Sequence, residues 1–258
     1  MQPTKKRVFG YYYSPGAKTF HIVVRIKDVP GALNEVLELL RNHVDIIGSI
    51  SYGLEDGTAI WSGFVRALSE RETAPRLTKL VRSSPVVREA QATGSNRGLL
   101  VDSYHLGIEF GPDRVGMMMP FAGISQMFNR IASLLGSGGA TVLFAEGSGF
   151  GASSGRYLNS LLGPGQLDWK VEALVGVYRT IGWGNASVHV EKTNSRYRVK
   201  FLDCFECSDA AGVRNECSFL RGHLTEALGT LSGSEFKVRE KKCRLKGDSY
   251  CEFGMTKA

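Results

Sequence analysis

A chain of 258 residues is long enough for two domains with separate cores, and its 43% apolar and 22% charged residues describe a globular protein, not a disordered or fibrous one. The formal charge of +7 invites a nucleic-acid reading, but much of the excess lies in RLTKLVRSSPVVREAQATGSNR and KVREKKCRLK, and no helix-turn-helix, zinc-finger or RNA-binding consensus accompanies it, so nucleic acid is not an expected partner. No apolar run approaches the ~20 residues of a membrane helix, the start MQPTKKRVFGYYYSPG has neither an apolar signal region nor a cleavage site, and the expected location is cytoplasmic.

Residues 1–18 read as an N-terminal arm or an edge strand, with RVFGYYYSPGA ending in a Pro-Gly turn. From Phe20 the pattern becomes regular. FHIVVRI is a strand. DVPGALNEVLELLRNHV is a helix whose entry combines Asp28 as a cap with Pro30 in the first turn, and Leu33, Val36, Leu37 and Leu40 recur along one face. DIIGSISYG is the next strand, Asp56-Gly57 a tight turn, and TAIWSGFVRAL the hairpin partner. A second helix over 74–83, with Pro75 in its first turn, offers Leu77, Leu80 and Val81 to the core, and PVVREAQAT supplies a last strand. The order β-α-β-β-α-β over residues 19–93 predicts a ferredoxin-like α+β domain with two helices on one face of an antiparallel sheet.

This segment resembles the ACT domain, a small regulatory module, in its order of elements and in KDVPGALNEVLELL followed by VDIIGSISYG, where Asp45-Ile46 stands in place of the family's Asn-Ile. The resemblance implies a homodimer formed by sheet pairing and an amino-acid or other small effector near the Pro-Gly turn, at Asp28 and Gly31. On the residues alone, those two are a capped helix start and a glycine that permits close packing.

Residues 94–116 read as linker and entry strand, GSNRGLLVDS followed by YHLGIEFGP. His105 and His189 alternate with apolar neighbours and read as surface strand positions. The second domain, 117–258, starts with the helix MPFAGISQMFNRIASLLG, in which Ile124, Met127, Phe128, Ile131 and Leu134 keep helical spacing and Gly136, Gly138 and Gly139 mark the end. ATVLFAEGSGFGASSGRYLNSLLG reads as a short apolar segment, a glycine-rich loop and a helix over 152–162. Its GSGFG fits neither a dinucleotide fingerprint nor a P-loop, so the signal for a phosphate site is weak. DWKVEALVGVYRTIGWG is a helix capped by Asp168, with Val171, Leu174, Val175, Tyr178 and Ile181 toward one side. NASVHVEKTN and SRYRVKFLDCFE form a hairpin, a helix runs from Cys217 to Leu231, and strands over 235–242 and 250–254 complete a second α+β domain of helices packed on an antiparallel sheet.

All five cysteines lie from Cys204 onward, and an odd number confined to one domain suits reduced thiols and a metal better than a disulfide lattice. Cys217, Glu240, Cys243 and Cys251 read as a closed set of three thiolates and a carboxylate, suited to a structural divalent ion such as zinc. Cys217 opens a helix, where free backbone N–H groups favour a thiolate. Cys243 and Cys251 flank RLKGDSY, whose Gly247-Asp248 turn brings them across from one another. In a regular strand residues 240 and 243 point to opposite faces, so Glu240 reaches the ion only if the chain bulges near Lys241-Lys242. Spacing leaves two other readings open: Cys204 and Cys207 acting with Cys243 and Cys251, or five buried, unligated thiols.

Residues from about 117 to 256 resemble the 4-vinyl-reductase, or hydrocarbon-binding, domain. The resemblance is most specific in FECSDAAGVRNECSFLRGHLTEALGTLSGSEFKVREKKCRLKGDSYCEF, with its Glu-x-x-Cys followed by Gly-Asp-x-x-Cys. It implies zinc on Cys217, Glu240, Cys243 and Cys251, as in the zinc-bearing sensor branch of that family, and a small hydrophobic or aromatic ligand. Relatives include sensory parts of aromatic-responsive regulators, bacteriochlorophyll-related proteins and vesicle-tethering subunits that dimerise. The sequence has no ATPase or DNA-binding module of the kind those regulators carry, so a signal is expected to pass to a protein partner.

Helices over 152–162 and 168–182 bracket an expected apolar cavity walled by Phe150, Tyr157, Trp169, Tyr178, Trp183, Phe219 and His223. Singly, each is an ordinary core residue. No G-x-S-x-G, H-E-x-x-H or nucleotide fingerprint occurs, and four protein ligands leave a metal no open position, so an enzyme is not expected. The expected function is a zinc-containing sensor or regulatory protein for a small hydrophobic or aromatic molecule. A dimeric scaffold or assembly subunit is the alternative, with a tetrapyrrole-related reductase component a more distant one.

Overall fold

Alternate residues of Thr19–Lys27 serve two different layers, and they do so as one strand in the computed structural model, which describes residues 10–105, 108–109, 115–116, 119–191, 196–208, 214 and 216–258. The chain divides into two compact units, Met1–Gly107 and Ile108–Ala258. In the first, β1 (Tyr11–Tyr13) is followed by β2 (Thr19–Lys27), α1 (Ala32–Leu40), β3 (Val44–Gly53), β4 (Thr58–Ala67), α2 (Ala74–Val81), β5 (Val87–Gly94) and β6 (Leu99–Val101). Four of these strands form an antiparallel sheet in the order β3-β4-β2-β5, so the unit is ferredoxin-like. Strand β1 pairs with β6.

The helix-facing layer packs Phe20, Ile22, Val24 and Ile26 of β2 with Val36 and Leu40 of α1 and Leu77 and Val81 of α2. Each buried aliphatic or aromatic side chain contributes ~2 kcal/mol relative to exposure. Helix α2 starts as its sequence implies, with Pro75 in the first turn and Thr73 Oγ1 accepting the Arg76 N–H. Helix α1 does not. Its N-cap is Gly31 at φ +87°, Pro30 lies outside the first turn, and Asp28 sits exposed at the end of β2 without capping. The chain enters α1 through a left-handed residue, which glycine adopts without a Cβ clash.

The second unit begins with the short pair β7 (Ile108–Glu109) and β8 (Val115–Gly116). It continues with α3 (Phe121–Leu135), α4 (Ser137–Leu162), α5 (Leu167–Thr180), β9 (Ala186–Glu191), β10 (Arg196–Phe201), α6 (Ser218–Ser232), β11 (Phe236–Lys242) and β12 (Cys251–Lys257). Its antiparallel sheet has the order β11-β12-β10-β9. Leu174 and Tyr178 of α5 and Leu220, Leu224 and Leu228 of α6 share a core with Val199, Phe201, Phe253 and Met255 of the sheet. Of the strand expected over 104–112, the described residues include Ile108–Glu109 as strand. Residues 1–9 of the expected arm, residues 117–118 at the start of the second domain and the turn at 192–195 lie outside the described residues.

The glycine-rich stretch departs furthest from expectation. Gly136 alone, at φ +54°, separates α3 from α4, and what reads as segment, loop and helix is one helix of 26 residues. Gly147, Gly151 and Gly155 recur at helical spacing on its buried face, and Gly222 meets them from α6. A Cβ on Gly147 would lie 2.0 Å from the Phe219 carbonyl oxygen, one on Gly151 2.2 Å from that of His223, and one on Gly222 2.1 Å from that of Phe144. The two backbones are in direct contact, and the helix-propensity cost of about 1 kcal/mol per glycine is offset by the packing this allows.

Helix α5 also starts differently. Gln166 is its N-cap, and Asp168 instead accepts the Tyr197 hydroxyl proton at 2.8 Å.

Candidate metal centre and the aromatic core beside it

Five separate turns of the chain deliver the five cysteines to one place. Cys204 and Cys207 flank a 3-10 turn at Phe205–Cys207, so FEC leaves the strand that the sequence had implied for it. Cys217 is the N-cap of α6, Cys243 follows β11, and Cys251 opens β12. All are buried and none is disulfide-bonded. Two quartets have their ligand atoms within 4.8 Å of one another: Cys204, Cys207, Cys217 and Cys251, and Cys217, Glu240, Cys243 and Cys251. Cys217 thus takes the place that Cys243 has in the rival set read from spacing.

The donor set suits a thiophilic divalent ion. Around a tetrahedral ion with Zn–S bonds of ≈ 2.3 Å, neighbouring sulfurs stand about 3.8 Å apart. Cys217 Sγ is 3.8 Å from both Cys243 and Cys251 and 3.9 Å from Cys204, whereas Cys207 stands 3.0 Å from Cys217 and 3.5 Å from Cys251. The pairing of β11 with β12 shifts register between Glu240 and Lys242, which is the bulge that Glu240 needs. Its carboxylate accepts the Cys217 backbone N–H at 3.2 and 3.4 Å.

Hydrogen bonds from Cys204, Cys207, Cys217 and Cys243 hold the Cys251 thiol far below its ordinary pKa, and the Arg244 N–H adds another at 3.4 Å. The same crowding, first with Cys204, pushes Cys217 up. Burial raises Glu240. The cluster therefore concentrates negative charge on one sulfur and resists more unless a cation compensates it.

Sequence reading gave no role to Glu206 or Arg214. Fully buried Glu206 accepts backbone N–H groups from Phe219 at 3.2 Å and Leu220 at 2.9 Å, capping α6 from outside the helix. Arg214 bonds the Glu206 carboxylate at 3.3 Å, its carbonyl at 2.6 Å, and Asn129 Oδ1 at 2.8 Å. Burial pushes the Glu206 carboxyl up to about 8 against the opposing pull of these amides and of Arg214.

Four of the seven expected pocket residues come together. Tyr178 stacks on Trp183 with centroids 5.3 Å apart, Trp183 lies 4.7 Å from His223 and 6.0 Å from Phe219, and Phe205 and Phe128 extend the group. His223 is buried and bonded on both nitrogens, Nδ1 to Tyr178 Oη at 2.9 Å and Nε2 to Ser154 Oγ at 3.2 Å. Phe150 touches Phe219 at 5.6 Å but is 57% exposed, Trp169 is 50% exposed, and Tyr157 is partly buried on α4. Around the expected effector position, the Asp28 N–H donates to the Gly57 carbonyl at 3.1 Å, and Gly31 is the left-handed entry to α1.

Fold and site define a protein of two α+β domains, the second bearing a cysteine cluster able to hold a metal ion. Residues 197–257, which include all five cysteines, match the model of the 4-vinyl-reductase domain, and the C-terminal part of the chain is similar to that domain. The solved structures it is similar to include the phenol-responsive sensory domain of the transcription activator PoxR with phenol, at 14% identity over 56% of this chain and 77% of that one, TM-score 0.49. Another is a trafficking protein particle complex subunit 3 from Naegleria fowleri covalently bound to palmitic acid, at 16% identity over 54% and 95%, TM-score 0.44. A third is a vinyl-4-reductase family protein from Methanocaldococcus jannaschii, at 18% identity over 57% and 85%, TM-score 0.34. No curated protein matches the sequence. Among the described residues, no helix is long and apolar enough to cross a membrane.

Proposed function

We propose that the chain is a regulatory protein whose C-terminal domain binds a small apolar or aromatic molecule and is closed by a structural zinc ion on Cys217, Glu240, Cys243 and Cys251. The observation that carries the ligand reading is His223, a buried polar side chain surrounded by rings and held by Tyr178 and Ser154. Such a group orients a phenol or carboxylate among apolar walls. Trp183 and Phe150, the partly exposed rings of the cluster, are the ones a ligand displaces on entry. For the metal, the sulfur spacings around Cys217 and the bulge at Glu240 support the three-thiolate, one-carboxylate set over the set with Cys207. Four protein ligands leave that ion no open position, so its role is to hold α6 to the terminal hairpin, and no catalysis is assigned to it.

In this reading the first unit acts as an ACT-like dimerisation or effector module, with Asp28 and Gly31 at the effector position. Edge strand β3, carrying half-exposed Ile46 and Ile50, supports pairing of sheets between two copies. Reduced thiols suit a cytoplasmic setting, and the signal passes to a protein partner. Native mass spectrometry of protein purified without added metal tests the whole: it reads zinc, retained ligand and oligomeric state together. A folded chain that carries no metal refutes the zinc closure. Unchanged Trp emission across a panel of phenols and aromatic acids refutes the ligand site.

A further inference from the structure

The first unit holds a second convergence of metal-ligating side chains. On β2, Thr19, His21 and Val23 face away from the helices, and β6 packs near this strand before the chain reaches Asp102 and His105. His21 Nδ1 stands 3.8 Å from Asp102 Oδ1, and His105 Nδ1 stands 2.7 Å from Asp102 Oδ2. One ligand atom from each of the three lies within 4.8 Å of the others.

The opposite nitrogens of both rings are engaged. His21 Nε2 is 2.8 Å from Ser62 Oγ, and His105 Nε2 is 2.9 Å from Tyr52 Oη. A metal-ligating imidazole has this arrangement, with one nitrogen for the ion and the other fixed by an outer partner that sets tautomer and ring plane. Asp102 is oriented too, since its Oδ1 accepts the backbone N–H groups of Tyr104 and His105, each at 3.0 Å. Phe64 against His21, and Tyr104 edge-on to His105, restrict both rings. A purely structural role accounts for His105 as the partner of Asp102 and for buried His21 bonded to Ser62. It gives no reason for both Nδ1 atoms to converge on one carboxylate while both Nε2 atoms are held by hydroxyls.

We infer that His21, Asp102 and His105 form a binding site for a divalent transition-metal ion of the zinc, cobalt or nickel class, held through the two Nδ1 atoms and the Asp102 carboxylate. Both imidazoles then carry their proton on Nε2 and donate it to Ser62 and Tyr52, and the proton shared between His105 and Asp102 leaves as the ion enters. Asp102 and His105 keep side-chain exposures of 14% and 18%, which gives the ion a route in from solvent. With three protein ligands and solvent in the remaining positions, this ion exchanges faster than one enclosed by cysteines.

The test is titration of the full, chelator-stripped and reduced chain with cobalt(II) alone. Uptake at the cysteines gives thiolate-to-cobalt charge-transfer absorption; uptake at the histidines gives ligand-field bands without it. The expected result is an equivalent of cobalt per chain free of thiolate bands, lost in His105→Ala and in Asp102→Asn, with any thiolate bands unchanged. Asp102→Asn keeps the shape and the Oδ1 acceptor, so it separates loss of a ligand from loss of the fold, which far-UV circular dichroism checks. Cobalt uptake that always tracks the thiolate bands overturns the inference, as does a thiolate-free ion that persists in both variants.

Discussion

Alanine substitutions at Gly151 and Gly149, two positions apart on α4, are expected to change stability in opposite directions. A Cβ at Gly151 would meet the His223 carbonyl oxygen at 2.2 Å, about 1 Å short of ordinary contact, and the atom it meets is backbone. Relief therefore requires α4 and α6 to separate, which also loosens the contacts at Gly147, Gly155 and Gly222. Overpacking of this kind costs about 3 kcal/mol, and the helix-propensity gain of alanine over glycine returns ~1 kcal/mol. The net loss at Gly151 is ~2 kcal/mol. At Gly149 nothing lies within 4 Å of the new methyl and the position is exposed, so only the propensity gain remains. With a shift of ~3 °C per kcal/mol for a unit of this size, Gly151→Ala lowers the melting temperature of the second unit by roughly 6 °C and Gly149→Ala raises it by roughly 3 °C. Differential scanning calorimetry of the full chain measures both. Equal melting of the two variants would refute the view that the α4 and α6 backbones touch.

Further tests address the cluster and the buried polar groups. Cys243→Ser and Cys251→Ser should release the ion and most of the ~10 kcal/mol or more that a structural zinc contributes at neutral pH, while Cys204→Ser should retain it. Metal content by mass spectrometry decides, and equal loss from Cys204→Ser and Cys207→Ser would move the ion to the other quartet. Glu206, raised to about 8 in the folded chain, binds more protons folded than unfolded between its ordinary value and 8, so its contribution is full at low pH and is lost as pH rises through that window. Between pH 6 and 8 the wild type should lose about 2 kcal/mol of stability relative to Glu206→Gln. Parallel curves in urea would mean that Arg214 and the α6 amides keep the carboxyl ionised throughout. Tyr178→Phe removes the hydroxyl beside His223 Nδ1 in a dry environment and should cost about 1–3 kcal/mol; a cost near zero would mean that water reaches His223.

Much of the first unit was legible because its signals are local. Period-2 alternation in Thr19–Lys27, a turn at Asp56-Gly57 with Gly57 at φ +76°, and Thr73 before Pro75 each act within a few residues, and the ferredoxin-like order follows from them. Local rules erred where a distant partner took the group. Asp168 has the chemistry of a cap, but Tyr197 engages it from 29 residues away. Glycines read as helix breakers because propensity weighs one strand of chain at a time. The four-residue spacing of Gly147, Gly151 and Gly155 was visible in the sequence, yet it becomes a packing seam only with Gly222 opposite. Glu206 had no readable signal, since the amides that it caps lie 13 and 14 residues ahead. For the metal set, spacing brought Cys243 and Cys251 together but could not choose among five thiols that five turns of chain carry to the same point.

These observations meet in the first two turns of α6. Glu206 fixes the free amides of Phe219 and Leu220, and Glu240 accepts the amide of Cys217, so two acidic side chains from different segments determine where the helix starts. Cys217 there faces the other cysteines, Phe219 and His223 face the ring cluster, and Gly222 lies against the carbonyl of Phe144 on α4. None of these contacts adjusts alone, because a close-packed backbone seam on one side and sulfurs crowded within 4 Å on the other leave the helix little freedom to slide. A molecule that displaces Trp183 or Phe219 therefore strains the same turn that positions Cys217. If both sites are filled in turn, their affinities are linked, and the linkage has equal size in either direction.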